Sequence, residues 1–357
     1  REPRFRMSEA TPSPAERHGT ETVTVPGEHL RLRLDLSLAR LFPDHSRGYF
    51  QRCIREGRVR LNGRPVQPKK PVMPGNIIEI RWPQKEIYDL VPQEVDFEVL
   101  TEDRDVIVIN KPPDLVVHPA EGHLDGTLVH GLLHYDYDSF RAMIDATMRP
   151  GIVHRLDKDT SGAMVIARNL FARQQLKKAF KERLTEKTYV AIILGEFGAV
   201  TGTIETQIGR HPVRRMKMAV VEEGGKYALT KYRVLGTSQG CSLMEIRIFT
   251  GRTHQIRVHF SHLHHPIIGD YVYGGKGKHI PIEVPRQMLH AWKLVFPHPR
   301  TGTMRQFMAP IPPDFRQALE QLGLPILNGM PTPMGPTIPE GWVPPEDLPS
   351  DDEEDQQ

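Results

Sequence analysis

The chain has 357 residues, 38% of them hydrophobic and 25% charged, with a net charge of +3. That length supports a sizeable core and two or three domains. No stretch approaches the roughly 20 consecutive apolar residues of a membrane helix, and the polar N-terminus lacks the apolar centre of a secretion signal. Two distant cysteines, Cys53 and Cys241, provide neither a disulfide framework nor a Cys-based zinc site. The expectation is a cytoplasmic protein without membrane contact.

Residues 1–22 are polar, carry three prolines and are expected to be disordered. Residues 23–90 form a small basic module. Between Glu28 and Trp82 there are twelve Lys and Arg against five Asp and Glu, a local excess of +7. Leu36, Leu38, Ala39 and Leu41 predict a short helix ending before Pro43. Ser46 is a candidate N-cap for a second helix carrying Tyr49, Cys53 and Ile54, which stops at Gly57. Val59 and Leu61 alternate with Arg58 and Arg60 as a strand, Asn62-Gly63 is a turn signal, and Ile77, Ile78 and Ile80 form another strand. Arg47, Arg52, Arg55, Arg58 and Arg60 are expected to share one face and to meet RNA phosphates, because the excess charge is more than solubility requires.

Residues 95–325 read as one large α+β domain. Val106–Ile109, Ala163–Ala167, Thr188–Leu194, Leu229–Leu235 and Leu243–Phe249 are strand-like. Asn169 caps a predicted helix in which Ala172, Leu176, Ala179, Phe180 and Arg183 recur at helical spacing. Many strands and few helices predict a large mixed, mostly antiparallel sheet with a central cleft. Residues 326–357 are Pro-rich and then acidic, closing on Asp351-Asp352-Glu353-Glu354-Asp355, and are expected to be disordered.

Two clusters concentrate reactive side chains. In the first, His154-Arg155-Leu156-Asp157-Lys158-Asp159-Thr160-Ser161-Gly162, short apolar stretches flank a polar core, which suits a loop lining a cleft. On spacing alone Asp157 is either a turn cap or a catalytic carboxylate. In the second, Gly251-Arg252-Thr253-His254-Gln255-Ile256-Arg257-Val258-His259, the alternation predicts a strand that collects Arg257 and His259 on one face. A buried arginine needs a carboxylate, and Asp157 is the natural candidate. There is no phosphate-loop spacing, no glycine-rich cofactor loop of the methyltransferase kind and no HExxH pattern. His262, His264 and His265 lack a carboxylate or thiol at ligand spacing, so no metal is expected.

These motifs resemble known families. Arg33-Leu34-Asp35, Ser46-Arg47, Ile54-Arg55-Glu56-Gly57-Arg58-Val59 and Leu61-Asn62-Gly63 resemble the S4 RNA-binding domain. The His154–Gly162 and Gly251–His259 clusters resemble the signatures of the RluA-type pseudouridine synthases. So do Asn110-Lys111-Pro112, Lys187-Thr188-Tyr189-Val190-Ala191, the Gly269–Gly275 segment and Leu289-His290-Ala291, in the family's order. The resemblance covers about residues 23–320 and implies a cofactor-free isomerisation of uridine to pseudouridine in RNA. The expected partner is ribosomal RNA of the large subunit, and the expected state is a monomer. It also implies roles. Asp157 is the nucleophilic or basic carboxylate, Tyr189 packs on the target base, and Arg257 pairs with the aspartate. Arg155 fills the gap left by the flipped uridine, with His154, Thr160, Arg252 and His254 as further substrate contacts. A non-catalytic RNA-binding factor would have to lack Asp157, Tyr189 or Arg257, and all three are present.

Overall fold

A computed structural model describes residues 19–327, apart from 44, 46, 83–89, 121, 146, 198, 215–216, 276 and 278–279. The chain divides into two compact units between residues 89 and 90. In the first, β1 (Thr20–Thr24) is followed by α1 (Leu34–Leu41), α2 (Arg47–Arg55), β2 (Val59–Leu61), β3 (Arg64–Pro65) and β4 (Ile77–Arg81). The strands pair antiparallel in the order β1-β4-β2-β3. Leu34, Leu38, Phe50, Cys53 and Ile54 from the helices bury against Ile78 and Ile80. Asn62 and Gly63 both take positive φ (50° and 73°), the backbone a tight β2–β3 turn demands. The expected disordered extension is too long by three residues: Thr20, Glu21 and Thr22 pair with Arg81, Ile80 and Glu79. The proposed Ser46 cap lies outside the described residues.

The second unit holds β5 (Glu98–Glu102), β6 (Val106–Lys111), α3 (Leu128–Tyr135), α4 (Tyr137–Arg141), β7 (Ser161–Ala167), α5 (Leu170–Lys181), β8 (Glu186–Leu194), β9 (Thr201–Arg210) and β10 (Met218–Val220). It continues with β11 (Lys226–Ser238), β12 (Cys241–Ile248), α6 (Gln255–His262), β13 (Leu289–Pro297), β14 (Met304–Met308) and α7 (Pro313–Leu322). One sheet runs β10-β9-β11-β12-β8-β13-β7-β6-β5, with β14 on β13. Every ladder is antiparallel except β13 with β7. The chain is therefore α+β with a large, mostly antiparallel sheet. No helix among the described residues is long and apolar enough to cross a membrane.

Period-two alternation sorts the core onto the two faces of the sheet. On β8, Tyr189, Ala191 and Ile193 join the cluster that holds Ile256 and Phe260 of α6 and Leu128 and Leu132 of α3. Val190 and Ile192 turn the other way, onto Phe315, Leu319 and Leu322 of α7. Val165 of β7 meets Leu176 and Phe180 of α5, while Met164 and Ile166 meet α3. Gly162, at φ 124°, pairs with Ala291 in the parallel ladder. A Cβ there would lie 2.2 Å from the Ala291 carbonyl oxygen, so only glycine allows β7 and β13 to approach.

Two local expectations change. The 255–262 segment is helix α6 rather than a strand. Gln255 to Phe260 are all buried, so the helix has no solvent face to create the 3.6-residue pattern. α5 ends at Lys181, and Arg183 lies beyond it in the left-handed region (φ 58°). Asn169 does cap it, accepting from the Ala172 N–H at 2.8 Å.

Candidate active site

Asp157 sits in the loop that leads from the Ile152–Ile166 bridge into β7. Four buried side chains from elsewhere in the sequence grip the residues that follow it. Lys111, wholly buried at the end of β6, donates to the carbonyl oxygens of Lys158 (2.9 Å), Leu115 (2.9 Å) and Pro112 (2.7 Å). Arg286 donates to Asp159 O at 3.0 Å and is itself clamped by the two oxygens of Asp314 at 2.7 and 3.0 Å. Gln287 donates to Thr160 Oγ1 at 3.3 Å, and Ser161 Oγ meets His290 Nδ1 at 2.9 Å. A loop with its own backbone and hydroxyls held this way keeps the neighbouring carboxylate in place, as a reaction centre requires.

The carboxylate meets α6 at the start of that helix. Arg257 Nη1 donates to Asp157 Oδ2 at 2.8 Å. Its Nε and Nη2 donate to Asp270 at 2.7 and 3.1 Å. Asp270 is fully buried, and its Oδ1 also accepts from the Val272 and Tyr273 N–H groups at 3.0 and 3.1 Å. The Arg257 guanidinium stands 5.1 Å from the centre of the Tyr273 ring. His254 enters α6 in the left-handed conformation (φ 56°), which turns its ring toward Asp157 with Nε2 3.9 Å from Oδ2. The Tyr273 hydroxyl accepts from Met218 N–H at 2.9 Å and also meets His254 Nδ1 at 2.9 Å.

The electrostatics follow from this geometry. Burial opposes ionisation of Asp157, but His254, Arg257 and Arg155 outweigh it and hold the carboxyl below the usual range. Burial lowers His254 in turn, so near neutral pH its ring is uncharged and Arg257 carries the stabilisation. Burial also opposes the charge on Arg257, and Asp270 and Asp157 more than restore it. Tyr189 is 7% exposed on β8, opposite Ile246 and Ala291. Burial first, then the Asp157 charge, push its phenol far up. It is an apolar platform with a firmly protonated hydroxyl.

The expected residues thus fall into two sets. Asp157, Arg257, His254 and Tyr189 come together, and Arg155 is exposed two residues from the carboxylate. His154, Thr160 and Arg252 each make bracing contacts within the protein. His154 Nε2 accepts from Val165 N–H at 3.0 Å and its ring stacks on Phe180, on the α5 side of the sheet. Thr160 is 2% exposed and engaged by Gln287. Arg252 is 4% exposed, with Nε on Tyr227 O at 2.9 Å and its N–H on Gln255 Oε1 at 3.1 Å. In the first unit, Arg47 joins Arg33 and Gln51 around the wholly buried Asp35 (2.9, 2.8 and 2.6 Å). Arg58 pairs with Glu56 at 2.8 Å, while Arg52, Arg55 and Arg60 are exposed. Asp270, Tyr273, Lys111 and Arg286 were not expected as functional residues. For Lys111 the signal was a charge closing the otherwise apolar Val106–Asn110 run.

Comparison with known proteins places the chain in a family. The RNA pseudouridylate synthase family model matches residues 105–262, and the S4 domain model matches residues 32–78. The ribosomal large subunit pseudouridine synthase D of Pseudomonas aeruginosa is 41% identical over 308 residues, covering 84% of this chain and 94% of that protein. The synthase D of Neisseria meningitidis is 43% identical over 311 residues, covering 85% and 82%. Bacillus subtilis YlyB, an uncharacterized RNA pseudouridine synthase, is 39% identical over 300 residues, covering 84% and 97%. Among solved structures, human RNA pseudouridylate synthase domain containing 4 aligns with TM-score 0.51 and 25% identity, over 65% of this chain and 95% of that one. An S4 domain followed by a synthase domain, matched over most of its length by such relatives, means that the chain belongs to the RNA pseudouridine synthase family.

Proposed function

We propose that this protein isomerises uridine to pseudouridine in ribosomal RNA of the large subunit, at a helix 69 type site, with Asp157 as the catalytic carboxylate. The observation that carries this reading is the ionised Asp157 carboxylate, pinned by Arg257 beside the buried face of Tyr189. The reaction breaks N1–C1′, turns the uracil and joins C5 to C1′; the C5 proton leaves and N1 gains one. Reactant and product are isomers, so the balance calls for no redox partner. Asp157 acts either by attacking C1′ or by taking the ribose 2′ proton on the way to a glycal. Both routes require the carboxylate that Arg257 maintains.

The target base is out of reach in a stacked helix and must be flipped, at a cost of a few kcal/mol. Tyr189 offers a ring for the flipped uracil, and stacking of this kind returns ~1–3 kcal/mol. Exposed Arg155 enters the vacated place in the stack. The names of the bacterial relatives support the ribosomal target. The first unit contributes phosphate contacts through Arg52, Arg55 and Arg60, and the protein works as a monomer. Carbodiimide-based mapping of pseudouridine in cells with and without the gene tests the target: specific large-subunit positions lose their modification in its absence. Unchanged maps would remove the ribosomal assignment.

A further inference from the structure

The β9–β10 connection takes no part in the site described so far. From Arg210 to Lys217 it carries Arg210, His211, Arg214, Arg215 and Lys217 and no acidic residue. Arg210 and Met218 pair across the hairpin stem. Its described part borders a cavity of about 520 Å³. Val258, Ser261 and His262 of α6 form one wall, and the turn from Tyr271 to Gly274 forms another. The polar lining is cationic or protonatable, through His211, Arg214, Lys217 and His262, and none of the described lining residues is acidic.

The donors are held at the cavity by local structure. His211 Nδ1 accepts from the Val213 and Arg214 N–H groups at 3.1 and 3.0 Å, so its ring proton belongs on Nε2. Lys217 donates to the Val272 carbonyl, and its ammonium lies 5.8 Å from the centre of the Tyr273 ring. An ammonium has three N–H groups, so that anchor fixes its position and leaves further donors for a ligand. Met218, Val220, Val258 and the two tyrosines supply apolar surface between the cations. Cationic donors around an apolar, tyrosine-walled hollow of several hundred Å³ suit a nucleotide-sized anion.

The cavity adjoins the Asp157 site through one side chain. Tyr273 lines the cavity, holds His254 through its hydroxyl and lies beneath Arg257, which pairs with Asp157. Tyr273 thus belongs to both the cavity and the group of side chains around Asp157. We propose that the pocket between the β9–β10 hairpin, α6 and the Tyr271–Gly274 turn is a subsite for a nucleotide flanking the target uridine, with Lys217, Arg214 and His211 on its phosphodiester. This rests on the reading of Asp157 as an RNA-modifying carboxylate, and it adds a second point at which the substrate strand is gripped.

The test uses the full chain and a labelled stem–loop RNA with uridines in its loop. Dissociation constants are measured across a salt series for the wild type, Lys217→Met, Arg214→Met and Lys178→Met. Lys178 is an exposed lysine of α5 and serves as the control. Losing one phosphate contact reduces the slope of log K against log salt by about 0.7–0.9. The expected result is that shallower slope for Lys217→Met and Arg214→Met but not for Lys178→Met, with a raised KM for Arg214→Met. Arg214 is exposed, so its variant retains the fold even if loss of the Lys217–Val272 bond loosens the turn. Wild-type slopes in both pocket variants, or the same change in Lys178→Met, would overturn the subsite. A wild-type chain that binds the RNA but forms no pseudouridine in any substrate would instead overturn the enzymatic reading, and the binding slopes would still decide the subsite.

Discussion

Arg257 gives two of its nitrogens to Asp270, at 2.7 and 3.1 Å, and one to Asp157, at 2.8 Å. The carboxylate that fixes the guanidinium is fully buried, and the one it serves is 22% exposed. Asp270 therefore sets the direction of the charge, and Asp157 receives it. Removing one partner of a buried ion pair costs roughly 3–5 kcal/mol. Arg257→Met strands both carboxylates and should lower stability by that order while abolishing turnover. Asp270→Asn keeps one of the two oxygen acceptors that Arg257 uses and loses both the other and the charge. It should lower kcat more than KM, because Arg257 loses its orientation without a change in any group that touches the RNA. Urea denaturation and turnover assays check both, and wild-type turnover in Asp270→Asn would contradict this division of labour.

The pH dependence of stability should carry the mark of two buried histidines. His259 bridges Thr230 and Thr206 hydroxyls at 2.9 Å each, and His290 lies between Ser161 Oγ at 2.9 Å and Ala309 O at 3.3 Å. Burial pushes each down to about 4. In the unfolded chain they titrate near 6.5. Between those values the unfolded chain binds more protons, so stability is intact above pH ~6.5 and falls as pH drops toward 4. Each histidine contributes on the order of 1 kcal/mol per pH unit across that window. Urea midpoints at pH 7 and pH 5 should differ less for His259→Gln than for the wild type. An identical difference in both proteins would rule out this assignment.

Arg155 is exposed and close enough to influence the Asp157 carboxyl. Exposed substitutions away from packed features usually change stability by no more than ~0.5 kcal/mol. Arg155→Ala should therefore keep its melting temperature and lose kcat/KM on duplex or stem–loop RNA. On the proposed flipping role, the loss should shrink on a single-stranded oligonucleotide, where less stacking opposes extrusion. Equal losses on structured and unstructured RNA would place Arg155 in the chemistry or in general binding.

Much of this was legible in the sequence, for reasons visible in particular elements. Apolar runs marked β7 and β8, and Asn169 announced α5, while Tyr189 was singled out only by the family resemblance. The Asp157–Arg257 pair followed from the need of a buried arginine for a carboxylate. Helix α6 was not legible as a helix, because a segment buried all round lacks the polar face that marks the period, and its Ile256–Val258 spacing imitates a strand. Asp270 was missed because its claim on Arg257 depends on the 269–275 turn folding back over α6. There, a Cβ on Gly269 would fall 1.9 Å from the Arg286 carbonyl oxygen. His154, Thr160 and Arg252 share motifs with reactive residues, but adjacency in sequence does not separate a side chain that meets substrate from one that holds its neighbours.

The central claim is that Asp157 performs the chemistry, and tritium release from C5-labelled uridine in RNA tests it most directly. In Asp157→Asn the amide oxygen still faces Arg257 and Asp270 still holds the guanidinium, so the fold and RNA affinity should remain near those of the wild type. Release should fall to background because the ionised carboxylate is gone. Asp159→Asn is the informative comparison: its carboxylate is the nearest rival in the loop, but it is the Asp159 backbone carbonyl that Arg286 grips. No release is expected from Asp157→Asn and substantial release from Asp159→Asn. Sustained release from Asp157→Asn together with its loss in Asp159→Asn would contradict the claim.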